Sequence, residues 1–244
     1  KEDKKKELSD LAKDLGGKKE VVVVNKNERS KLLTETKNQE QTYQSILAEK
    51  KAKKDALEKE LFEYESTLKY KLDPSSIPKS GTTVFAWPLD KVIITQNFGK
   101  TVASKRLYVS GSHNGVDFGA KLGTAVKAMM NGKVIGTGDT DITCPRASFG
   151  RWILIEYPNG LTAIFAHLSV INVKQGDTVT QGQIVGYSGN TGYSTGPHLH
   201  VSLYASDAVK VESRPSASCV GKTYTMPIAP VDAYLDVLQF LPKL

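Results

Sequence analysis

The chain has 244 residues, of which 39% are hydrophobic, enough for one packed domain with an extension. Its formal charge of +7 is spread along the chain without a clustered basic stripe or a nucleic-acid motif, so we do not expect DNA or RNA binding. No run approaches the roughly 18 apolar residues of a membrane-spanning helix, and the opening residues, KEDKKKELSD, lack the apolar core of a signal peptide. We therefore expect only indirect membrane contact, with any export signal removed or lying upstream.

The first third of the chain predicts helices. Residues 7–15 read as a short helix that ends at Gly16-Gly17, a plausible C-cap. The run Val21 to Val24 fits neither a heptad nor a surface helix, and a short strand or a junction within a helical hairpin would accommodate it. Residues 28–72 contain no glycine or proline and are rich in Glu, Lys, Leu and Gln, which favours a long helix.

An imperfect heptad with a polar middle runs through this long helix. Its positions are Leu33, Thr36, Glu40, Tyr43, Leu47, Lys50, Lys54, Leu57, Leu61, Tyr64 and Leu68. We predict that residues 1–72 form a helical, coiled-coil arm with its strongest contacts near Leu57 to Leu68. The alternative is a single amphipathic helix docked on its own domain.

A linker, DPSSIPKSGTT at residues 73–83, separates helix-like from strand-like sequence. Beyond it, residues 84–244 consist of short β-rich runs between glycine-containing turns, typical of an antiparallel β domain. The predicted runs are TVFAWP, KVIITQ, GVDFGA, AVKAMM, GKVIGTG, WILIEYP, LTAIFAHL, DTVTQGQIVGYSG and HLHVSLY. Residues 137–151 and 205–227 read as strand-poor surface loops. The close of the chain predicts a short helix that packs Leu235, Leu238 and Leu241 on the core.

The two cysteines, Cys144 and Cys219, match no zinc or redox spacing. They form either one disulfide of an exported protein or two unrelated thiols.

The four histidines carry most of the functional information. His113 and Asp117 lie four residues apart across a glycine-containing bend that enters a strand, so both side chains can converge on one point. His198 and His200 lie two apart in a strand-like run and therefore share a face. Catalytic zinc typically keeps three protein ligands and one open position, and two histidines with one aspartate meet that number. A spare histidine nearby could move protons or stabilise an oxyanion.

Taken together, GSHNGVDFGA, FAHLS and GNTGYSTGPHLHVSLY resemble the lysostaphin/LytM-type peptidoglycan endopeptidases in order and spacing. The resemblance covers about residues 84 to 204. It implies one zinc ion held by His113, Asp117 and His200, with His167 and His198 as the catalytic pair. It also implies a β-sheet groove in which a peptidoglycan peptide lies extended, in the periplasm or the extracellular wall compartment of a bacterium. Tyr108, Trp87, Asn97, Tyr187 and Tyr193 are candidates for that groove.

Two other functions compete with the enzyme. Proteins that resemble this family and carry coiled-coil arms can act as activators of separate cell-wall amidases, with the metal site lost. A scaffold of a division or secretion complex would instead use the arm as its working part, through an envelope or division protein. The intact set of candidate ligands favours the enzyme, with the arm regulating or localising it.

Overall fold

A computed structural model gives the structure of residues 2–36, 40–146 and 148–244. The chain divides into two compact units, Lys1–Glu49 and Lys50–Leu244. No helix in these described parts is long and apolar enough to cross a membrane. The division predicted at the 73–83 linker stays a prediction.

The first unit is built on helix α1, Glu2–Thr36. The prediction that a helix ends at Gly16-Gly17 is wrong, because α1 continues through both glycines and through the valine run. Gly17 and Val21 are buried four residues apart on one face of α1. Burial of this face offsets the roughly 0.5–1 kcal/mol that a glycine costs inside a helix.

Helix α2, Glu40–Thr67, extends into the second unit. Leu57 and Leu61 are only 1% and 9% exposed, and both pack into a core cluster of the β domain with Trp152. At these two leucines the structure therefore shows a helix docked on its own domain. The long helix predicted over 28–72 includes residues 37–39, which lie outside the described residues, as do the side chains of Thr36, Glu40, Lys50 and Lys54.

Besides the end of α2, the described residues of the second unit form twelve strands, one further short helix and three 3-10 helices. The strands of its first half are β1 Ile94–Gln96, β2 Val116–Gly119, β3 Ala125–Lys127, β4 Gly132–Asp139, β5 Arg151–Glu156 and β6 Leu161–Ile171. Those of its second half are β7 Thr178–Val179, β8 Ile184–Ser188, β9 His198–Ala205, β10 Lys210–Pro215, β11 Thr223–Ile228 and β12 Tyr234–Leu235. Helix α3 spans Ser104–Leu107.

An antiparallel ten-stranded sheet forms the domain, with β1-β2-β9-β6-β5-β4-β7 as its main order. Strand β8 pairs with β6 and β3, and β12 pairs with β9. The long strand β6 is buried along nearly its whole length, so it lies between two core clusters, one on each side of the sheet. The predicted antiparallel β domain with an N-terminal helical extension is confirmed.

Three local predictions are wrong. TVFAWP forms no strand, although Phe85 is buried and its N–H donates to the carbonyl of Phe240. Residues 205–227 are not strand-poor, because β10 and β11 pair into a two-stranded ribbon. The last segment forms two short 3-10 helices, Val231–Ala233 and Val237–Phe240, in place of one helix, although Leu235, Leu238 and Leu241 pack on the core as predicted.

The turn after β4 and the ribbon are covalently joined. Cys144 and Cys219 form a disulfide, with their Cα atoms 6.0 Å apart. Of the two alternatives open for the cysteines, the structure shows the bonded one.

Candidate metal centre and active site

Three central strands position the candidate site. Asp117 on β2 lies directly opposite His200 on β9, and Ala166 on β6 faces His200 from the other side. His113 precedes β2 and forms an isolated antiparallel bridge with Gly99. Backbone pairing thus brings together residues that lie more than 80 positions apart in the sequence.

The side chains of His113, Asp117 and His200 converge on one point and could hold a metal ion. Asp117 Oδ1 lies 2.8 Å from His200 Nδ1 and 3.2 Å from His113 Nε2. The two imidazole nitrogens lie 3.1 Å apart. All three residues are buried.

Hydrogen bonds at the far side of each ring fix the orientation of the two histidines. His113 Nδ1 donates to the carbonyl of Asn97 at 3.1 Å, which leaves Nε2 as the lone-pair nitrogen. His200 Nε2 lies 2.8 Å from the buried Ser202 hydroxyl, and Nδ1 faces Asp117. Such outer hydrogen bonds set the tautomer of a metal-binding histidine.

The charge states also suit a cation. Burial acts to raise the pKa of Asp117, but hydrogen bonds and charge from His113 and His200 outweigh it and hold that pKa well below its usual range. Burial lowers the pKa of His200 despite the neighbouring carboxylate. The site therefore favours an ionised Asp117 and a neutral His200, the forms that bind zinc.

The spacing of the three atoms fits the same ion. Ligand atoms at 2.0–2.1 Å from a tetrahedral zinc lie about 3.3 Å from one another, and the observed separations of 2.8 to 3.2 Å are close to this. Two nitrogens and one carboxylate oxygen suit zinc better than calcium or magnesium, which prefer all-oxygen sites.

His167 and His198 lie beside this cluster, with their ring centroids 4.7 Å apart. His198 Nε2 is 3.6 Å from Asp117 Oδ1, while its Nδ1 lies 2.8 Å from the carbonyl of Gly196. His167 Nδ1 lies 2.8 Å from the carbonyl of Thr191. Burial, joined by repulsion from His198 and His200, lowers the pKa of His167 well below its usual value.

The backbone of His167 is unusual for a strand residue. Its φ is 60°, in the left-handed region, where the pairing of β5 with β6 shifts register between Ile153 and Arg151. A bulge of this kind redirects a side chain, and strain of this kind gathers at functional sites.

Gly115 explains why a glycine separates His113 from Asp117. A Cβ at this position would lie 2.6 Å from His200 Cε1 and 2.5 Å from the carbonyl oxygen of Val201. Any side chain here would displace His200, so the glycine permits the close approach of β2 and β9.

A cavity of about 180 Å³ opens on His113, His167 and His200. Of the groove residues considered from the sequence, Tyr108 and Tyr193 line it, and Tyr108 stacks on His113 with ring centroids 5.2 Å apart. The other three have different surroundings. Trp87 packs edge-on against Phe118, Tyr187 is fully buried, and Asn97 offers its backbone carbonyl to His113.

Helix α2 also lines this cavity. Its contributing residues are Glu58, Leu61, Phe62 and Glu65. The spacing of these residues, i, i+3, i+4 and i+7, places them on one helix face. A heptad seam has the same spacing, so the pattern alone does not distinguish the two arrangements.

An antiparallel sheet that carries a convergent His-Asp-His set beside two further oriented histidines defines a candidate metallopeptidase centre. Residues 111–212 match the family model of Peptidase family M23. The chain therefore contains a Peptidase M23 domain over these residues.

Two curated proteins and one solved structure illustrate what the chain is similar to. The chain is 46% identical over 91 residues to the glycyl-glycine endopeptidase ALE-1 of Staphylococcus capitis, a match that covers 37% of this chain and 24% of that protein. It is 43% identical over 91 residues to the peptidoglycan DD-endopeptidase ShyA of Vibrio cholerae, covering 37% and 20%. The solved catalytic domain of lysostaphin from Staphylococcus simulans is 30% identical, covers 60% of this chain and 90% of that one, and has a TM-score of 0.44. The match thus spans a quarter or less of both curated relatives.

Proposed function

We propose that this chain is a zinc-dependent endopeptidase that hydrolyses peptide cross-links of bacterial peptidoglycan. In this proposal His113, Asp117 and His200 hold one zinc ion, and His167 and His198 are the catalytic pair. The observation that carries the proposal is the convergence of three ligand atoms within 3.2 Å beside two histidines whose outer nitrogens are already hydrogen-bonded.

When bound, zinc acts as a Lewis acid and makes water a usable nucleophile near neutral pH. The catalytic pair handles protons and charge. With Nδ1 of each ring donating to a backbone carbonyl, Nε2 of each is left to accept or donate a proton at the reacting groups. Burial keeps His167 neutral and able to accept. The roles of the pair follow from this difference in surroundings: His167 suits proton acceptance, and His198, beside the Asp117 carboxylate, suits charge stabilisation.

The substrate class rests on the relatives. Two of them are named for glycyl-glycine and for peptidoglycan DD-endopeptidase activity, so endopeptidase activity is common to both names. We infer that this chain cleaves peptide bonds in wall cross-links. We infer that the substrate peptide lies extended along the cavity, between the histidines and the aromatic side chains of Tyr108 and Tyr193. Which cross-link is cut depends on the walls of this cavity.

The proposed location is outside the cytoplasm, in the periplasm or the extracellular wall compartment. The disulfide between Cys144 and Cys219 supports this, because disulfides persist in oxidising compartments.

The main alternative is a non-hydrolytic activator or scaffold for a cell-wall amidase or division complex. The two readings predict different metal contents. The enzyme should purify with one zinc per chain in the absence of chelators, and an activator with a lost site should contain none. Mass spectrometry of the native protein distinguishes them.

We further propose that α2 regulates the enzyme by covering the cavity. Glu58, Leu61 and Glu65 of α2 line the cavity shared with the site histidines. Since α2 forms one wall of this cavity, an extended peptide would have to pass between the helix and the site histidines. This arrangement supports occlusion over pure localisation by the arm.

Three hydrogen-bonded glutamates support this closed arrangement. Glu58 accepts from the N–H of Val109 at 2.7 Å, and Glu65 accepts from the Tyr234 hydroxyl at 2.8 Å. Glu60 accepts from the N–H groups of Ala217 and Ser218 at 3.0 and 2.9 Å and from the Ser216 hydroxyl at 3.2 Å. These contacts are polar and therefore reversible in water. The exposed apolar residues of α1 include Leu8, Leu11 and Leu15. An envelope or division protein that binds them could displace the arm, of which α2 is a part.

A further inference from the structure

Both proposed catalytic histidines take their orientation from one loop. We name residues 189–197, between β8 and β9, the carbonyl loop. The carbonyl of Thr191 accepts from His167 Nδ1, and that of Gly196 accepts from His198 Nδ1, each at 2.8 Å. A shift of this loop would therefore rotate both rings or change their tautomers.

Arg146 fastens the carbonyl loop on either side of Thr191. Its Nη1 donates to the carbonyl of Asn190 at 2.7 Å, and its Nη2 donates to the carbonyl of Ser194 at 3.2 Å. A guanidinium presents its donors in a planar fork, so it can hold two carbonyls at a fixed separation. A lysine at this position could not do so.

Asp141 holds the same loop from the same turn. Its Oδ2 accepts from the N–H of Gly192 at 2.8 Å, and its Oδ1 accepts from the N–H of Arg146. The φ of Arg146 is 63°, a left-handed conformation that costs a non-glycine residue of order 1 kcal/mol or more. The Asp141 carboxylate thus links the unusual backbone of Arg146 to the loop that it supports. The disulfide at Cys144 anchors the turn that contains both residues.

Asp141 and Arg146 are not part of the proposed catalytic pair or of the proposed metal site. Neither is among the residues that line the cavity, and no described hydrogen bond joins either of them to His113, Asp117 or His200. Any contribution to catalysis must therefore pass through the carbonyl loop.

We propose that Asp141 and Arg146 are positioning residues, which fix the carbonyl loop so that His167 and His198 present Nε2 to the substrate. This inference rests on the proposed hydrolytic function. It predicts a loss of maximal rate without a loss of metal. The reason is that Asp141 and Arg146 contact the carbonyl loop, which holds His167 and His198, and make no described hydrogen bond to the metal-site residues. Outer-sphere partners of this kind typically contribute 10–100-fold to activity.

The test uses the full chain with Arg146→Gln, Arg146→Lys and Asp141→Ala. Exposed residues of α1 supply matched controls, Arg29→Gln and Asp10→Asn. Three quantities are measured: zinc per chain, rates of fragment release over a range of purified sacculus concentrations, and ring nitrogen spectra of ¹⁵N-histidine-labelled protein. With four histidines in the chain, every ring can be followed separately.

We expect Arg146→Gln and Asp141→Ala to keep the zinc content of the wild type. Their maximal rate should fall about 10–100-fold, with little change in the sacculus concentration at half-maximal rate. The spectra should show that His167 and His198 lose their single Nδ1-protonated form while His113 and His200 do not change. The maximal rate of Arg146→Lys should lie between that of the wild type and that of Arg146→Gln, since an ammonium can keep one of the two hydrogen bonds to carbonyls.

Unchanged ring spectra of both catalytic histidines in Arg146→Gln and Asp141→Ala would overturn the inference. Loss of zinc in parallel with activity would also overturn it, since the turn would then support the whole domain. If the zinc-loaded protein cuts no sacculi even when Leu57→Ala has released α2, but the two ring spectra still shift, the proposed function fails and the positioning role stands.

Discussion

Replacing Leu57 with alanine should open the cavity and raise the activity of the full chain. Leu57 is 1% exposed and packs into the core cluster with Trp152, yet it does not line the cavity itself. The substitution therefore weakens the docking of α2 without altering the surface that the substrate would meet.

The size of the effect follows from this burial. Removing a buried leucine side chain beyond Cβ costs about 2–5 kcal/mol. Since about 1.4 kcal/mol changes an equilibrium tenfold, a loss of about 3 kcal/mol would multiply the ratio of open to closed protein by roughly 150. The gain in activity should approach this factor only if nearly all wild-type molecules are closed. If a larger fraction of the wild type is already open, the gain is limited to the value reached when every molecule is open.

The assay compares fragment release from purified sacculi per zinc-loaded chain. Leu47→Ala is the matched control, because it makes the same change in the same helix at a side chain that is 49% exposed. Hydrogen exchange of residues 55–67 reports whether α2 is released, and the unfolding midpoint reports whether the β domain survives. A folded Leu57→Ala variant with an exposed α2 but wild-type activity would refute occlusion and leave the arm a tether.

Other predictions concern the site residues, the docking of α2 and the disulfide. Alanine at any of the three proposed ligands should abolish stoichiometric zinc binding, and full retention by all three variants would exclude this ligand set. Alanine at either member of the catalytic pair should keep the zinc and reduce sacculus cleavage about 10²–10⁴-fold; near-normal turnover in both would show the roles to be misassigned. Burial raises the pKa of Glu65 to about 7, against hydrogen bonds from Tyr234 and Ala229 that lower it. Its contribution to α2 docking is at most about 3 kcal/mol. This contribution is full below about pH 4.5 and is lost as the pH rises through about 7. Exchange protection of α2 should fall over this range in the wild type but not in Glu65→Gln. Serine at both cysteines should lower the free energy of unfolding by roughly 4 kcal/mol, and an unchanged denaturation midpoint would contradict that estimate.

The grouping of the site residues was predictable because it depends on short-range rules. A glycine-containing bend places His113 just before β2 and Asp117 on β2, and the two-residue alternation of β9 places His198 and His200 on the strand that faces them. The groups that orient these residues could not be predicted from the sequence. The carbonyls of Asn97, Thr191 and Gly196 and the hydroxyl of Ser202 act through backbone position or a common side chain, so their residue types carry no signal.

The helical region was harder to predict because its pattern is ambiguous. Leucines at positions 57 and 61 fit a coiled-coil seam and a docked face equally well, and only the tertiary structure shows that they pack on the β domain. Gly16-Gly17 looked like a helix end, but burial of Gly17 and Val21 outweighs the local preference. Strand β10 of the ribbon gave little signal because its residues are largely polar and exposed. Strand β11 does alternate, with Tyr224, Met226 and Ile228 buried, and this alternation was missed.

Digestion of purified sacculi tests the central claim most directly. The full-length Leu57→Ala protein should be stripped of metal, reloaded with one equivalent of zinc and compared with its stripped form, with His113→Ala in the same background as control. Mass analysis of the released fragments identifies the bond that is cut. We predict new peptide termini within wall cross-links, produced by the zinc-loaded protein alone. Intact cross-links after digestion with the folded, zinc-loaded, open protein would contradict the assignment of a peptidoglycan endopeptidase.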